Sequence, residues 1–181
     1  TYNFYAIAPN SEGEKATVTK DGISEIKDFV QKSTDQIDLL YATPVEREIT
    51  TITTQPDAVE FTFSHILSKV KFTFTNKMPN ANTKIIVKNI KISNTALKGT
   101  AKNTNNAWTW EIAPTSNDLA LDFGTTEKLT QGGNGECTTE MLLIPASRKY
   151  NITFTVELYS GDATTASASY DHSVELDTEF E

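Results

Sequence analysis

Apolar and polar side chains alternate along much of this chain, and that period of two is the feature that most restricts its fold. In residues 152–158 every second residue is apolar, beginning at Ile152 and ending at Leu158. Successive side chains of a β-strand point to opposite faces of the sheet, so the pattern predicts a strand with one buried and one solvated face.

Further strands are predicted from shorter segments of the same kind. Residues 59–63 and 70–74 both alternate. The apolar residues have odd numbers up to Phe63 and even numbers from Val70 onward, which predicts a bulge or irregular turn between two strand segments. Residues 84–94, 108–112 and 119–123 also have strand patterns. The continuous apolar run at residues 141–144 predicts a central strand that is covered on both faces.

One segment has the spacing of a helix instead. Ile23, Ile26 and Phe29 lie three residues apart, with Asp21 available as a cap, so we predict a short helix between Asp21 and Lys32. It is the only helix that the sequence predicts.

Near the end of the chain, acidic residues alternate with apolar ones. Four acids share one side of this extended segment: Glu175, Asp177, Glu179 and Glu181. Side chains two apart on one strand diverge into solvent, whereas a cation site needs carboxylates that converge from several directions. The segment therefore predicts a solvated edge strand, and we assign no metal to it.

Many short strands separated by turns, with almost no helix, predict an all-β protein. Among all-β architectures, we predict an antiparallel β-sandwich of two sheets.

Composition excludes several classes of function. A formal net charge of −8 argues against nucleic acid as a partner, because clustered cations must replace the counterions of the phosphate backbone. A single cysteine, Cys137, permits neither an internal disulfide nor a multi-cysteine zinc site. No run approaches the roughly 18 apolar residues of a membrane span, so we predict no transmembrane segment.

The sequence also contains no recognisable catalytic motif. His65 and His172 are its two histidines, and neither has an acidic or cysteine neighbour at ligand spacing. The glycines at residues 132–135 precede neither the Lys-Ser/Thr ending of a phosphate loop nor a helix, so they indicate a hairpin loop. We predict no enzyme, no catalytic residue, no cofactor and no metal.

Two aromatic residues are the candidates for ligand contact. Trp108 and Trp110 share one face of a predicted strand, where they can either cover a core or stack on sugar rings. A surface carbohydrate-binding sandwich is therefore the alternative function.

Two longer phrases resemble those of a known family. They are Asp38-Leu-Leu-Tyr-Ala42 and residues 59–74, whose second half reads Ser-His-Ile-Leu-Ser-Lys-Val-Lys-Phe-Thr-Phe. Residues 87–92, Gly99, Trp110 and residues 140–145 follow in the matching order. Together they are similar to the fimbrillin-like (Mfa-like) proteins of Bacteroidales.

The resemblance implies a structural or adhesive protein of the cell surface. Family members are outer-membrane lipoproteins with transthyretin-like sandwiches, and they build type V pili as shaft, anchor or tip subunits. The implied partners are other pilus subunits or further copies of the same chain, joined by strand exchange, and a host or bacterial surface ligand.

The resemblance also implies a division of the chain. Residues 1–43 would be the C-terminal portion of an N-terminal fimbrillin-like domain, residues 44–57 a linker, and residues 58–181 a C-terminal sandwich domain. We expect the chain to be trimmed at both ends, because no lipoprotein cysteine begins it and the family's further glycine-tyrosine strand does not follow Glu181. Arg47 lies in the predicted linker and is not expected to be the processing site.

Overall fold

The structure is a computed structural model, and it describes residues 1–48, 58–113 and 118–180. The strands and the helix of these residues are β1 (Tyr2–Ala8), α1 (Asn10–Gly13), β2 (Ala16–Thr19), β3 (Gly22–Val30), β4 (Leu40–Arg47), β5 (Phe63–His65), β6 (Ser68–Val70), β7 (Thr73–Thr75), β8 (Thr83–Ala96), β9 (Lys98–Thr104), β10 (Ala107–Ile112), β11 (Asp118–Gly124), β12 (Asn134–Glu136), β13 (Met141–Leu143), β14 (Ser147–Ser160) and β15 (Ala168–Glu179).

The three longest strands, β8, β14 and β15, form one antiparallel sheet with β11, in the order β11-β8-β14-β15. The short pairs β6–β13 and β7–β12 contribute the facing residues of the first core cluster. Alternate residues of β8 and β14, such as Val87, Ile92 and Tyr150, are buried there, as a period of two requires. The strand predicted at residues 152–158 is part of β14.

A second apolar core lies between the sheet β10-β9-β3-β2 and the sheet β1-β4-β5. Its fully buried members include Ile26 and Phe29 from β3 and Ala101 from β9. The two cores meet at β13 and the residue that follows it: Met141 and Leu143 belong to the first cluster, whereas Leu142 and Ile144 belong to the second. The prediction that residues 141–144 are covered on both faces is confirmed. Their predicted central position is wrong, because β13 pairs with β6 alone among the described strands.

The predicted helix between Asp21 and Lys32 is wrong, because these residues form β3. Two extra residues in β3 explain the misleading spacing: Val18 pairs with Ile23 and Thr17 with Glu25, so Ser24 has no counterpart. A second irregularity lies between Ile26 and Phe29, where Asp28 has a φ of 51°. Each bulge turns a spacing of two into a spacing of three, which mimics one turn of helix.

The all-β prediction is confirmed, and the transthyretin-like topology stays a prediction. Most of the predicted linker, residues 49–57, lies outside the described residues. Strand β3 pairs with β9, and β4 pairs with β5, so contacts cross that linker. The division into domains also stays a prediction.

Candidate functional site

The most exposed apolar surface of the large sheet lies along its edge strand, β15. This strand has 12 residues, and its partner among the described residues is β14 alone. An edge strand of this length presents a row of backbone N–H and C=O groups that a further strand can pair with. The edge predicted from the acidic alternation is thus found, although Glu181 lies outside the described residues.

The register of β14 with β15 shows which face the exposed residues share. Val174 lies opposite Ile152, His172 opposite Phe154, and Tyr170 opposite Val156. Residues directly opposite one another in an antiparallel pair point to the same face. We call Tyr170, His172 and Val174 the β15 row; it continues the face that carries Ile152 of the first core.

The β15 row lies on the core face, but it is not covered. Tyr170 is 55% exposed and Val174 is 49% exposed, whereas Leu176, two residues further along, is half-buried against the core. Phe74 on β7 contacts Phe154 with ring centroids 5.3 Å apart. Strand β7 itself has three residues, and no described residue buries Tyr170 or Val174 beyond it.

The opposite face of β15 is polar and its side chains are paired. Lys149 Nζ lies 2.9 Å from Glu175 Oε1, and this contact raises the pKa of Lys149. Thr155 Oγ1 donates a hydrogen bond of 2.7 Å to Asp171 Oδ1. The two faces of the edge strand therefore differ: one is solvated and charged, and the other is apolar and open.

A cleft of about 970 Å³ lies elsewhere, beside the second core. Trp108 and Trp110 of β10 both line it, together with Tyr41 of β4 and polar residues of β4, β5, β10 and β14. The structure thus places both predicted glycan-contact residues on one concave surface, although sugar binding itself stays a proposal.

Rings and backbone groups fix the orientation of Trp110. Its indole N–H donates a 3.0 Å hydrogen bond to the carbonyl of Ile66, and the Phe29 ring packs 5.6 Å away. Gly99 on the neighbouring strand leaves the space for this indole, since a Cβ there would lie 3.1 Å from Trp110 Cε3. The ring is therefore held in place by the fold.

Tyr41 supports Trp108 in a similar way. The two ring centroids are 5.0 Å apart at an angle of 73°, an edge-to-face arrangement. The Tyr41 hydroxyl donates to Asn106 Oδ1 at 3.1 Å, and burial raises the pKa of this tyrosine. The sequence marks Tyr41 only as part of the phrase at residues 38–42, because its contact with Trp108 joins two distant strands.

The histidines and the cysteine do not form a reactive cluster. His65 Nδ1 lies 2.8 Å from Asp38 Oδ1, an exposed pair that sequence analysis missed, and His172 stacks on Phe154 at 5.2 Å. Cys137 is buried and its Sγ lies 3.1 Å from the carbonyl oxygen of Thr139. Within residues 1–48, 58–113 and 118–180, no group of three His, Cys, Asp or Glu residues is placed to hold a metal.

These features define an all-β protein of antiparallel sheets with an open apolar edge. The model of the fimbrillin-like family matches residues 1–180. The chain belongs to the fimbrillin-like family, and the resemblance found in the sequence is confirmed.

A solved structure has the same overall fold. The crystal structure of a fimbrial protein from Bacteroides vulgatus ATCC 8482 aligns with a TM-score of 0.60 at 17% identity, covering 97% of this chain and 67% of that chain. Identity at this level shows a likeness of fold alone. Among curated proteins, no match to the chain was found. In the part of the chain that the structure describes, no helix has the length and apolar character needed to cross a bilayer.

Proposed function

We propose that this protein is a structural subunit of a cell-surface pilus and that it assembles by strand addition. Its membership of the fimbrillin-like family supports the role of a pilus subunit rather than an enzyme. The same membership supports a location at the cell surface. The partner that we propose is an extended segment of a neighbouring subunit.

The observation that carries the mechanism is the uncovered β15 row. Its residues belong to the core face by register, yet Tyr170 and Val174 are about half exposed. A folded domain ordinarily buries such a face, and a large exposed apolar strip commonly marks an interaction site. A strand from a neighbour would bury these side chains while its backbone pairs with the free edge of β15.

The two faces of β15 also fix the register of the incoming strand. A shift by one residue would turn its apolar side chains away from Tyr170 and Val174 and toward the polar face with Glu175. Backbone pairing therefore provides affinity, and the alternation of the β15 row provides specificity.

Replacing Val174 by Lys is expected to prevent assembly with little effect on folding. The side chain is 49% exposed, so the subunit tolerates lysine, but a strand that pairs with the edge of β15 would place its apolar side chains against an unpaired charge. We expect the loss of SDS-resistant oligomers and filaments of the full-length, processed protein, measured by gel electrophoresis and negative-stain microscopy.

Ser173→Lys is the matched control. Ser173 comes directly before Val174 and is also exposed, but it points to the polar face, where its Oγ donates a hydrogen bond to Asn151 Oδ1. This variant should assemble as the unmodified protein does. Filaments of equal length and number from Val174→Lys would contradict assembly through the β15 row.

A further inference from the structure

The cleft beside β10 is the concave surface that the proposed assembly does not use. Its lining comes from β4, β5 and β10, from residues 145 and 146, from the first two residues of β14 and from Phe180, whereas the β15 row lies further along the large sheet. Its volume of about 970 Å³ falls near the upper end of the ~300–1,000 Å³ that small-molecule sites occupy. A ligand of several rings fits this space.

The lining combines aromatic surfaces with hydroxyl and amide groups, and it also includes the imidazole of His65 and the guanidinium of Arg148. Trp108 and Trp110 lie two residues apart on one strand, about 6.6–6.8 Å along it, so they present two platforms side by side. Six lining residues carry hydroxyl or amide groups: Tyr41, Thr43, Ser64, Asn106, Thr109 and Ser147. Among the described residues of the lining, none has a carboxylate.

Packing against the second core accounts for an apolar ring at position 108, but it does not account for the N–H group of the Trp108 indole. Its indole nitrogen is buried, and among the described residues it has no hydrogen-bond partner. A phenylalanine would bury a ring against Tyr41 without leaving a polar donor unpaired. The larger ring is therefore retained at a cost to the fold, which points to a use for its surface in the cleft.

We propose that this cleft binds an oligosaccharide, with Trp108 and Trp110 stacking against the apolar faces of two sugar rings. Indole rings that are held rigidly lose little conformational entropy when a ligand stacks on them. Hydroxyl and amide side chains around them exchange hydrogen bonds with sugar hydroxyls. The protein would then bind a surface glycan through one face while β15 serves assembly.

The chain contains two tryptophans, and both lie in the cleft, so its tryptophan fluorescence reports on this site alone. The full chain is titrated with chitotriose, cellotriose, lactose and sialyllactose, and we expect a saturable change of fluorescence with at least one of them. Trp108→Ala should weaken that binding by about tenfold or more, measured by calorimetry. Trp110→Phe keeps a ring against Phe29 and should weaken it as well.

Tyr170→Ser is the matched control, because it removes an exposed aromatic side chain of the β15 row and should leave sugar affinity unchanged. Two results would overturn the proposal. The first is that none of the four sugars causes a saturable change of tryptophan fluorescence. The second is that Trp108→Ala and Trp110→Phe both bind sugar at full strength while circular dichroism shows that they are folded. Neither result bears on assembly through β15, which the Val174→Lys variant tests separately.

Discussion

Replacing Phe29 by Ala is expected to lower the free energy of unfolding by about 3–5 kcal/mol, the range for a large aromatic side chain removed from a core. Phe29 is fully buried in the second core and packs against Trp110. It pairs with Gly99 across β3 and β9, so the cavity would open between residues that are distant in sequence. Loss of this ring also removes a support of the cleft.

Chemical denaturation, followed by circular dichroism, measures this effect. Val30→Ala is the matched control, since Val30 is the next residue of the same strand but is 39% exposed, and we expect its cost to be below about 1 kcal/mol. A loss below about 1 kcal/mol for Phe29→Ala would show that the second core does not depend on β3.

Replacing Asn76 by Ala is expected to cost about 3 kcal/mol, because a fully buried amide loses three hydrogen bonds to backbone groups. Asn76 is fully buried, and its Nδ2 donates to the carbonyls of Thr83 at 2.9 Å and Leu129 at 3.0 Å. Its Oδ1 accepts a 3.0 Å hydrogen bond from the backbone N–H of Met78. One side chain thus ties together three segments of the first core.

The control is Asn80→Ala. Asn80 is exposed, and its Oδ1 accepts a hydrogen bond of 2.9 Å from the backbone N–H of Asn82, the same local turn bond that Asn76 makes. Asn80→Ala should therefore cost no more than about 1 kcal/mol in the same denaturation experiment. Equal effects of the two substitutions would mean that the two buried bonds of Asn76 Nδ2 contribute nothing to stability.

Several elements could be predicted because their pattern is local. The alternation at residues 152–158 specifies a strand with two unlike faces, and the run at residues 141–144 specifies one that is covered on both. The acidic alternation correctly indicated the edge strand β15. The motifs around residues 38–42 and 59–74 were sufficient to identify the family.

Other elements were missed because their pattern depends on the partner strand. The spacing of Ile23, Ile26 and Phe29 is that of a helix until β2 and β9 define the two bulges in β3. Asn76 lies between the segments at residues 70–74 and 84–94, and its burial follows only from the approach of Thr83 and Leu129. A bulge or a buried polar contact is a property of two segments, so one segment cannot reveal it.

The candidate sites divide in the same way. The sequence by itself determined that Trp108 and Trp110 share a strand face and that Val174 and Leu176 alternate with acids. Only the tertiary structure decided that the indoles line a cleft with Tyr41 and that Val174 stays open while Leu176 is half-buried. The physical reason is that side-chain direction follows from the local period of the strand, whereas burial depends on which distant segment covers that face.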